Sequence, residues 1–242
     1  MCYNIEKIKN EDKNMKATWL GQAGLLLEAE NGTAVMIDPY LSNSVVKYEP
    51  QNERRQKIDT SFLEMTPDIL IFTHDHLDHY DPESAPVYLA REKKMTVLSP
   101  RSVWEKARKN GGNHNYVQLD TGTSWTEKGI CVTAVKAFHS EPYAIGVIIE
   151  EQSSGKKYYV TGDTLYNEGI FSDIPSGLEA VFLPINGVGN NMNMTDAAAF
   201  AKRVGAKYTV PIHFGMFDSL DPNTFEVENK VIPEIYKEIL LK

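Results

Sequence analysis

The sequence is short of cysteine and of positive charge. Its 242 residues include two cysteines, Cys2 and Cys131, and Cys131 lies in an apolar run, so no disulfide framework is expected. The 25 lysines and arginines are outnumbered by 33 aspartates and glutamates, which gives a formal net charge of −8. Such a chain lacks the basic footprint that binds nucleic acid or an anionic membrane surface. We therefore expect neither nucleic acid nor a membrane as a partner.

Long apolar runs are also missing. No run approaches the length of a membrane span, and residues 1–15 contain no apolar core of the kind found in a secretory signal. Together with the few cysteines, this favours a cytoplasmic protein. The chain also lacks internal repeats, low-complexity tracts and Pro/Gly/Ser-rich linkers. Residues 1–242 are therefore expected to form a single domain.

The order of the local patterns predicts an architecture with two sheets. Apolar or alternating runs predict strands, and runs of helix formers next to Pro, Thr or Gly predict helices. The predicted strands are residues 17–21, 25–29, 34–38, 68–73, 96–99, 130–138, 143–150, 157–161, 179–184 and 207–211. The predicted helices are residues 82–92, 100–110, 196–204 and a terminal amphipathic helix over 222–241. Two β-rich halves that each carry helices favour an α/β (α+β) fold, a four-layer αββα sandwich.

Most of the histidines lie where a predicted strand ends. Residues 74–79 read His-Asp-His-Leu-Asp-His, which places three imidazoles and the Asp78 carboxylate on one tight turn. The sixth histidine, His114, falls in a Gly- and Asn-rich segment and is expected to be a solvent-exposed loop residue. The five histidines at strand ends are His74, His76, His79, His139 and His213.

These residue types are those that bind transition metals. Neutral imidazole and carboxylate are ligands for Zn²⁺, Mn²⁺ or Fe²⁺, and Asp163 ends another predicted strand. Because strand ends gather at one edge of a sheet, the donors are expected to meet although they are far apart in sequence. Five imidazoles and two carboxylates exceed one tetrahedral site, so two divalent ions, Zn²⁺ or Mn²⁺, are predicted. For the turn alone, a satisfied surface turn or a closed structural metal site remains an alternative.

At this point the chain resembles the metallo-β-lactamase superfamily. The resemblance is carried by the strand that ends in Asp38, the HDHLDH turn, His139, the Gly-Asp-Thr segment at Asp163, and His213. Within the superfamily, the segments WLGQAGLLLE, PINGVGNNMN and PIHFGMF resemble the branch of L-ascorbate-6-phosphate lactonase-like metal-dependent hydrolases.

The resemblance implies a role for each donor. His74, His76 and His139 would hold one metal ion, and Asp78, His79 and His213 the other. Asp163 would bridge the two ions. A hydroxide held between the ions would attack the substrate.

Supporting and substrate-binding roles are further expectations. We expect Asp78 to orient the hydroxide and pass a proton to the leaving group, and Asp38 and Asp75 to hydrogen-bond to ligand imidazoles. For substrate binding the first choices are Asn186 and Asn193, because amides in a Gly-containing loop after a strand suit hydroxyl groups. The other candidates are Arg101, Tyr143, Tyr40, Asn43, Asn190, Asn191 and Phe214.

The leading hypothesis is a binuclear metallohydrolase that acts on a small, polar, anionic ester or lactone, such as a sugar-acid lactone. A second reading is a phosphodiesterase, for small molecules or nucleic acid, that uses the same metal site. The negative net charge argues against RNA as its substrate. A third reading is a non-catalytic metal-binding sensor. The sequence leaves the oligomeric state open, and a homo-oligomer is among the arrangements it allows.

Overall fold

The computed structural model describes residues 14–242 and contains two β-sheets. The seven-stranded sheet has the order β13-β1-β2-β3-β4-β5-β6. Strands β1 to β3 are antiparallel, and β3 to β6 are parallel. The strands are β1 (Lys16–Gly21), β2 (Gly24–Glu28), β3 (Ala34–Ile37), β4 (Ile69–Ile71), β5 (Thr96–Ser99), β6 (Asn115–Gln118) and β13 (Glu238–Ile239).

The six-stranded sheet has the order β12-β11-β10-β9-β8-β7. Strands β7 to β10 form an antiparallel meander, whereas β10, β11 and β12 run parallel to one another. The strands are β7 (Ser124–Glu127), β8 (Ile130–Lys136), β9 (Ile145–Glu151), β10 (Lys156–Val160), β11 (Ala180–Pro184) and β12 (Tyr208–Ile212).

Alternation along the strands separates an inner from an outer layer. In β2, Leu25 and Leu27 face the core between the sheets, while Leu26 belongs to a second cluster on the other face. That second cluster is covered by α2 (Ser84–Leu89) and α3 (Arg101–Ala107).

The second sheet is covered in the same way by α4 (Met194–Val204). The Phe200 ring of α4 lies 6.2 Å from that of Tyr159 in β10. The neighbouring Tyr158 points to the opposite face, where its hydroxyl accepts a hydrogen bond from Met15 N. The predicted four-layer order is thereby confirmed. A short helix, α1 (Ser61–Glu64), precedes β4.

The predicted terminal helix is wrong. Residues 222–241 contain one short 3-10 turn, Pro222–Thr224, then turns and irregular backbone with a bridge at Lys230, and end in β13, which pairs with β1. Val231 N donates to Thr209 O of β12, and Tyr236 N donates to Trp19 O of β1. These bonds satisfy backbone groups at the exposed edges of both sheets, an advantage that a helix would forgo. Pro233 in the middle of the segment also opposes a helix.

His114 also differs from expectation, because it is buried rather than solvent-exposed. Its Nδ1 accepts a hydrogen bond from Met95 N at 3.4 Å, and its Nε2 donates to Leu89 O at 3.0 Å. The ring therefore ties α2 to β5. Cys131 lies half-buried in β8, and Cys2 lies outside the described residues. Across residues 14–242 no helix is long and apolar enough to cross a membrane.

The start of α4 gives a test of local stability. The Asn193 side chain accepts a hydrogen bond from Asp196 N at 2.9 Å and so caps the helix. Asn193→Ala is expected to lower the free energy of unfolding by about 1 kcal/mol, measured by urea denaturation. Asn193→Ser keeps an acceptor and should lose only a few tenths of that amount. Equal losses for the two variants would contradict the capping role.

Candidate metal centre

The HDHLDH turn follows β4 and folds back on itself. His79 N and Tyr80 N both donate hydrogen bonds to His76 O, at 3.1 and 2.8 Å. This turn brings the three imidazoles of the motif together. The ring centroid of His74 lies 3.9 Å from that of His79 and 4.6 Å from that of His76.

Three other strand ends bring the remaining donors to the same place. His139 follows β8, Asp163 follows β10 and His213 follows β12. His139 Nε2 lies 3.1 Å from His76 Nδ1, and His213 Nε2 lies 3.2 Å from Asp163 Oδ2. Three strands of the six-stranded sheet that end at the same edge thus collect donors from distant parts of the chain.

All seven predicted ligands take part in three overlapping groups. Within each group the ligand atoms lie within 4.8 Å of one another. His74 and His79 each belong to two groups, so the groups form one continuous cluster. The groups are His74, His76 and His139; His74, His79 and Asp163; and Asp78, His79 and His213.

Several donor atoms in this cluster are buried and make no hydrogen bond with residues 14–242. They are Nε2 of His74, His79 and His213, and Oδ1 of Asp163. A buried polar atom without a partner costs free energy, and coordination to a cation would remove that cost. Imidazole nitrogen with carboxylate oxygen is the donor set of Zn²⁺, Mn²⁺ and Fe²⁺ sites. The residues present therefore fit a metal centre.

The pKa values of the cluster also point to a need for positive charge. Burial disfavours the charged forms of His79 and His213 and so lowers their pKa values. The nearby carboxylates, Asp163 foremost, favour the charged forms more strongly than burial disfavours them. The pKa of His79 is raised well above its usual value and that of His213 to about 10. Burial likewise disfavours ionised Asp78 and Asp163, but the histidines hold both pKa values below the usual range. The carboxylates are therefore ionised and attract cations.

The third buried imidazole behaves differently. Burial holds the pKa of His74 well below its usual value, and the nearby His79 adds to this shift. His74 is therefore neutral, the form in which imidazole binds a metal.

Asp38, expected to support a ligand imidazole, lies behind His79. Its Oδ2 accepts a hydrogen bond from His79 Nδ1 at 2.8 Å, and its Oδ1 accepts one from Thr73 N at 2.8 Å. The Nδ1 contact leaves His79 Nε2 directed at the cluster. Asp38 has a positive φ of 42°, a backbone region that residues other than glycine seldom adopt.

Asp75 does not take the place expected for it. Its carboxylate pairs with Lys106 of α3 rather than with a ligand imidazole. Asp75 therefore lies on the side of the turn that faces α3. The Nδ1 atom of His74 instead lies 3.1 Å from Thr73 Oγ1.

Gln22, which was not among the predicted site residues, contacts both Asp78 and His213. Its Nε2 donates to Asp78 Oδ2 at 2.9 Å, and its backbone oxygen accepts from His213 N at 2.9 Å. Gln22 and His213 both have positive φ, 47° and 59°, at the turn after β1 and at the end of β12. The segment WLGQAG, already noted for its resemblance, was the available signal.

The asparagines of the loop after β11 make different contacts. Asn191 Nδ2 donates to Asp163 Oδ2 at 2.8 Å, and Asn186 Nδ2 lies 3.0 Å from His213 Nδ1. The backbone oxygen of Asn190 lies 3.3 Å from His139 Nδ1. Asn193 is the α4 cap described above. Three members of the loop therefore contact metal-ligand candidates directly.

A cavity of about 540 Å³ opens over the cluster. Of the two first choices for substrate binding, Asn186 lines it and Asn193 does not. Arg101 and Tyr143 line a separate cavity of about 500 Å³ instead. Helix α3 and the segment before β9 hold these two side chains away from the donor cluster. The lining residues of the larger cavity are Gln22, Val45, Glu49, Asn52, Asp75, His76, Leu77, Asp78, Ser140, Asp163, Asn186, Val188, Gly189, Asn190, Asn191, His213, Phe217 and Asp218.

The other early candidates serve the frame of the site. Tyr40 is fully buried, and Asn43 Oδ1 accepts a hydrogen bond from Arg54 N at 2.9 Å. Phe214 is buried with its ring centroid 4.8 Å from that of Trp19.

Known proteins share this fold and this sequence pattern. A UPF0173 metal-dependent hydrolase of Rubrobacter xylanophilus is 29% identical over 234 residues, covering 87% of this chain and 87% of that protein. Igni18, a metallo hydrolase of Ignicoccus hospitalis, matches with a TM-score of 0.71 and 21% identity, covering 93% of this chain and 97% of that one. An isothiocyanate hydrolase from Delia radicum gut bacteria matches with a TM-score of 0.69 and 19% identity, covering 93% and 99%.

The family described as the Beta-lactamase superfamily domain matches residues 33–214. This span runs from just before β3 to just beyond His213 and includes every predicted metal ligand. The narrower likeness to the lactonase branch stays a prediction. With three quarters of its length matched, the chain belongs to the metallo-β-lactamase superfamily, as its HDHLDH turn and strand-end donors predicted.

Proposed function

We propose that this protein is a metal-dependent hydrolase that cleaves a small polar ester or lactone. The observation that carries the proposal is the cluster of seven donors, with buried unpartnered atoms, at the floor of an open cavity. The names of the relatives agree, since the Rubrobacter protein is called a metal-dependent hydrolase and the solved structure from Delia radicum gut bacteria an isothiocyanate hydrolase.

The donor groups support two ions rather than one. His74, His76 and His139 would hold one, and Asp78, His79 and His213 the other, with Asp163 between them. The donor set suits Zn²⁺ or Mn²⁺. Divalent ions bound there would lower the pKa of a water molecule towards neutrality and polarise a substrate carbonyl.

Asp78 is the side chain to which we assign a catalytic role. Its carboxylate is partly exposed to the cavity, and Gln22 fixes its orientation through the 2.9 Å hydrogen bond to Oδ2. In that position it orients the attacking water and passes a proton to the departing alkoxide. A side-chain nucleophile is not required for this chemistry.

The cavity supports a polar substrate more clearly than an anionic one. Asn52 and Asn190 line it and suit hydrogen bonds with hydroxyl or carbonyl groups. Glu49 and Asp218 also line it and add negative charge. The anionic, sugar-acid character of the substrate therefore stays a prediction from the sequence. For the same reason we do not propose the phosphodiesterase alternative, because these carboxylates would repel a phosphodiester.

Removal of metal is the first test. Treatment with a chelator should abolish hydrolysis of the lactones or esters that the protein cleaves, because the attacking water loses its activation. Addition of Zn²⁺ or Mn²⁺ should restore the rate. The rate is measured as the acid released at constant pH. Hydrolysis that persists in a preparation shown by elemental analysis to be metal-free would contradict the proposal.

Two carboxylates of the same turn provide a matched pair. Asp78→Ala should lower kcat/KM by at least about 100-fold, since it removes a ligand as well as the proton carrier. Asp75→Ala removes a carboxylate from the same cavity, but one that pairs with Lys106. This control should keep both ions by elemental analysis. Full activity of Asp78→Ala with two ions bound would contradict the catalytic role assigned to Asp78.

Gln22 yields a separate prediction about metal affinity. Gln22→Met keeps the side-chain volume but removes the donor to Asp78, so the ion of the Asp78, His79 and His213 group should bind about 10- to 100-fold more weakly. Competition with a coloured chelator measures this affinity. The control is Gln56→Met, at an exposed glutamine outside the cluster. Unchanged affinity in Gln22→Met would show that Asp78 needs no such support.

A further inference from the structure

Two side-chain amides hold the imidazole of His213. Its Nδ1 lies 3.0 Å from Asn186 Nδ2 and 3.5 Å from Gln22 Nε2. Its Nε2 faces the carboxylates, 3.4 Å from Asp78 Oδ2 and 3.2 Å from Asp163 Oδ2. Both amides present a nitrogen, which is a donor, to Nδ1. Two donors would suit a ring that accepts at Nδ1, but not a ring that carries a proton there.

Metal binding sets which nitrogen of the ring carries the proton. An imidazole that offers the Nε2 lone pair to a cation carries its proton on Nδ1. The Nδ1–H group must then donate, and a buried N–H that faces another donor is destabilising. The metal-bound ring therefore needs an oxygen where an amide nitrogen now lies.

Gln22 is poorly suited to supply that oxygen. Its Nε2 already donates to Asp78 Oδ2 at 2.9 Å. Turning the Gln22 amide would break this bond and place its oxygen against the carboxylate of Asp78. The Gln22 amide therefore keeps its nitrogen on Asp78 and cannot offer its oxygen to His213.

Asn186 is suited to supply it. Its Oδ1 is buried and accepts no hydrogen bond from the described residues. The two ends of an amide have nearly the same size, so a half-turn of the side chain exchanges Nδ2 for Oδ1 without displacing the loop. The unpartnered oxygen and the unpartnered Nδ1–H would then satisfy each other.

We propose that Asn186 is a positioning residue whose Oδ1 accepts a hydrogen bond from His213 Nδ1–H when a divalent ion is bound by Asp78, His79 and His213. The inference rests on the proposed function only in that a metal ion binds there. It gives Asn186 a role in holding a ligand, distinct from the substrate contact expected from the sequence. Gln22 and Asn186 then share the second donor group, with Gln22 orienting Asp78 and Asn186 orienting His213.

Two substitutions at Asn186 test whether the side chain acts on His213 as a hydrogen-bond acceptor or as a donor. Asn186→Asp keeps an acceptor and removes the donor, while Asn186→Leu removes both at similar volume. With Zn²⁺ as the probe, chelator competition should find Asn186→Asp at least as tight as the unaltered protein and Asn186→Leu about 10- to 100-fold weaker. Asn193→Ala, in the same loop, is the control and should leave the affinity unchanged. Zn²⁺ binding to Asn186→Asp as weak as to Asn186→Leu would overturn the proposal.

A second measurement needs no variant to fold. Nitrogen-15 NMR of the unaltered protein loaded with Zn²⁺ should show a proton on His213 Nδ1, hydrogen-bonded to the Asn186 carbonyl. A His213 Nδ1 without a proton in the loaded protein would refute the inference. Neither the Zn²⁺ affinity nor the NMR signal depends on turnover. A protein that hydrolyses no ester or lactone would contradict the proposed function and leave this inference untouched.

Discussion

The attraction between buried carboxylates and positive charge is the interaction on which the rest of the site depends. Asp78 and Asp163 are ionised beside His79 and His213, whose pKa values they raise. Nitrogen and oxygen atoms of this cluster lie buried without a hydrogen-bond partner in the part of the chain that the structure describes. Protons compensate the charge only in part, whereas divalent ions would compensate it and also partner the unbonded atoms. The fold places four strand ends so that these donors must meet.

The surrounding residues hold this arrangement at a conformational cost. Gln22, Asp38 and His213 all have positive φ, and such residues typically cost about 1–3 kcal/mol each. Each is held by hydrogen bonds within the site: Asp38 to Thr73 and His79, and Gln22 to Asp78 and to the backbone of His213. Strain concentrated where donors converge is typical of a site that is built before its ligand arrives.

Much of the site could be predicted from the sequence because metal ligands follow strand ends. The spacing of His74, His76, Asp78 and His79 fixed their common turn, and the strands before them brought in the distant donors. The direction of single side chains was not predictable. Asp75 pairs with Lys106 of α3, Asn193 caps α4, and Arg101 is held away by α3. The terminal segment was misread because its apolar spacing resembles a helix, while its backbone pairs with two sheet edges.

The most direct test of the central claim is a crystal structure of the Zn²⁺-loaded protein with anomalous data collected at the zinc absorption edge. The account predicts two anomalous peaks, one among His74, His76 and His139 and the other among Asp78, His79 and His213, with Asp163 between them. A single peak outside these groups, or no peak in protein crystallised with excess Zn²⁺, would contradict it.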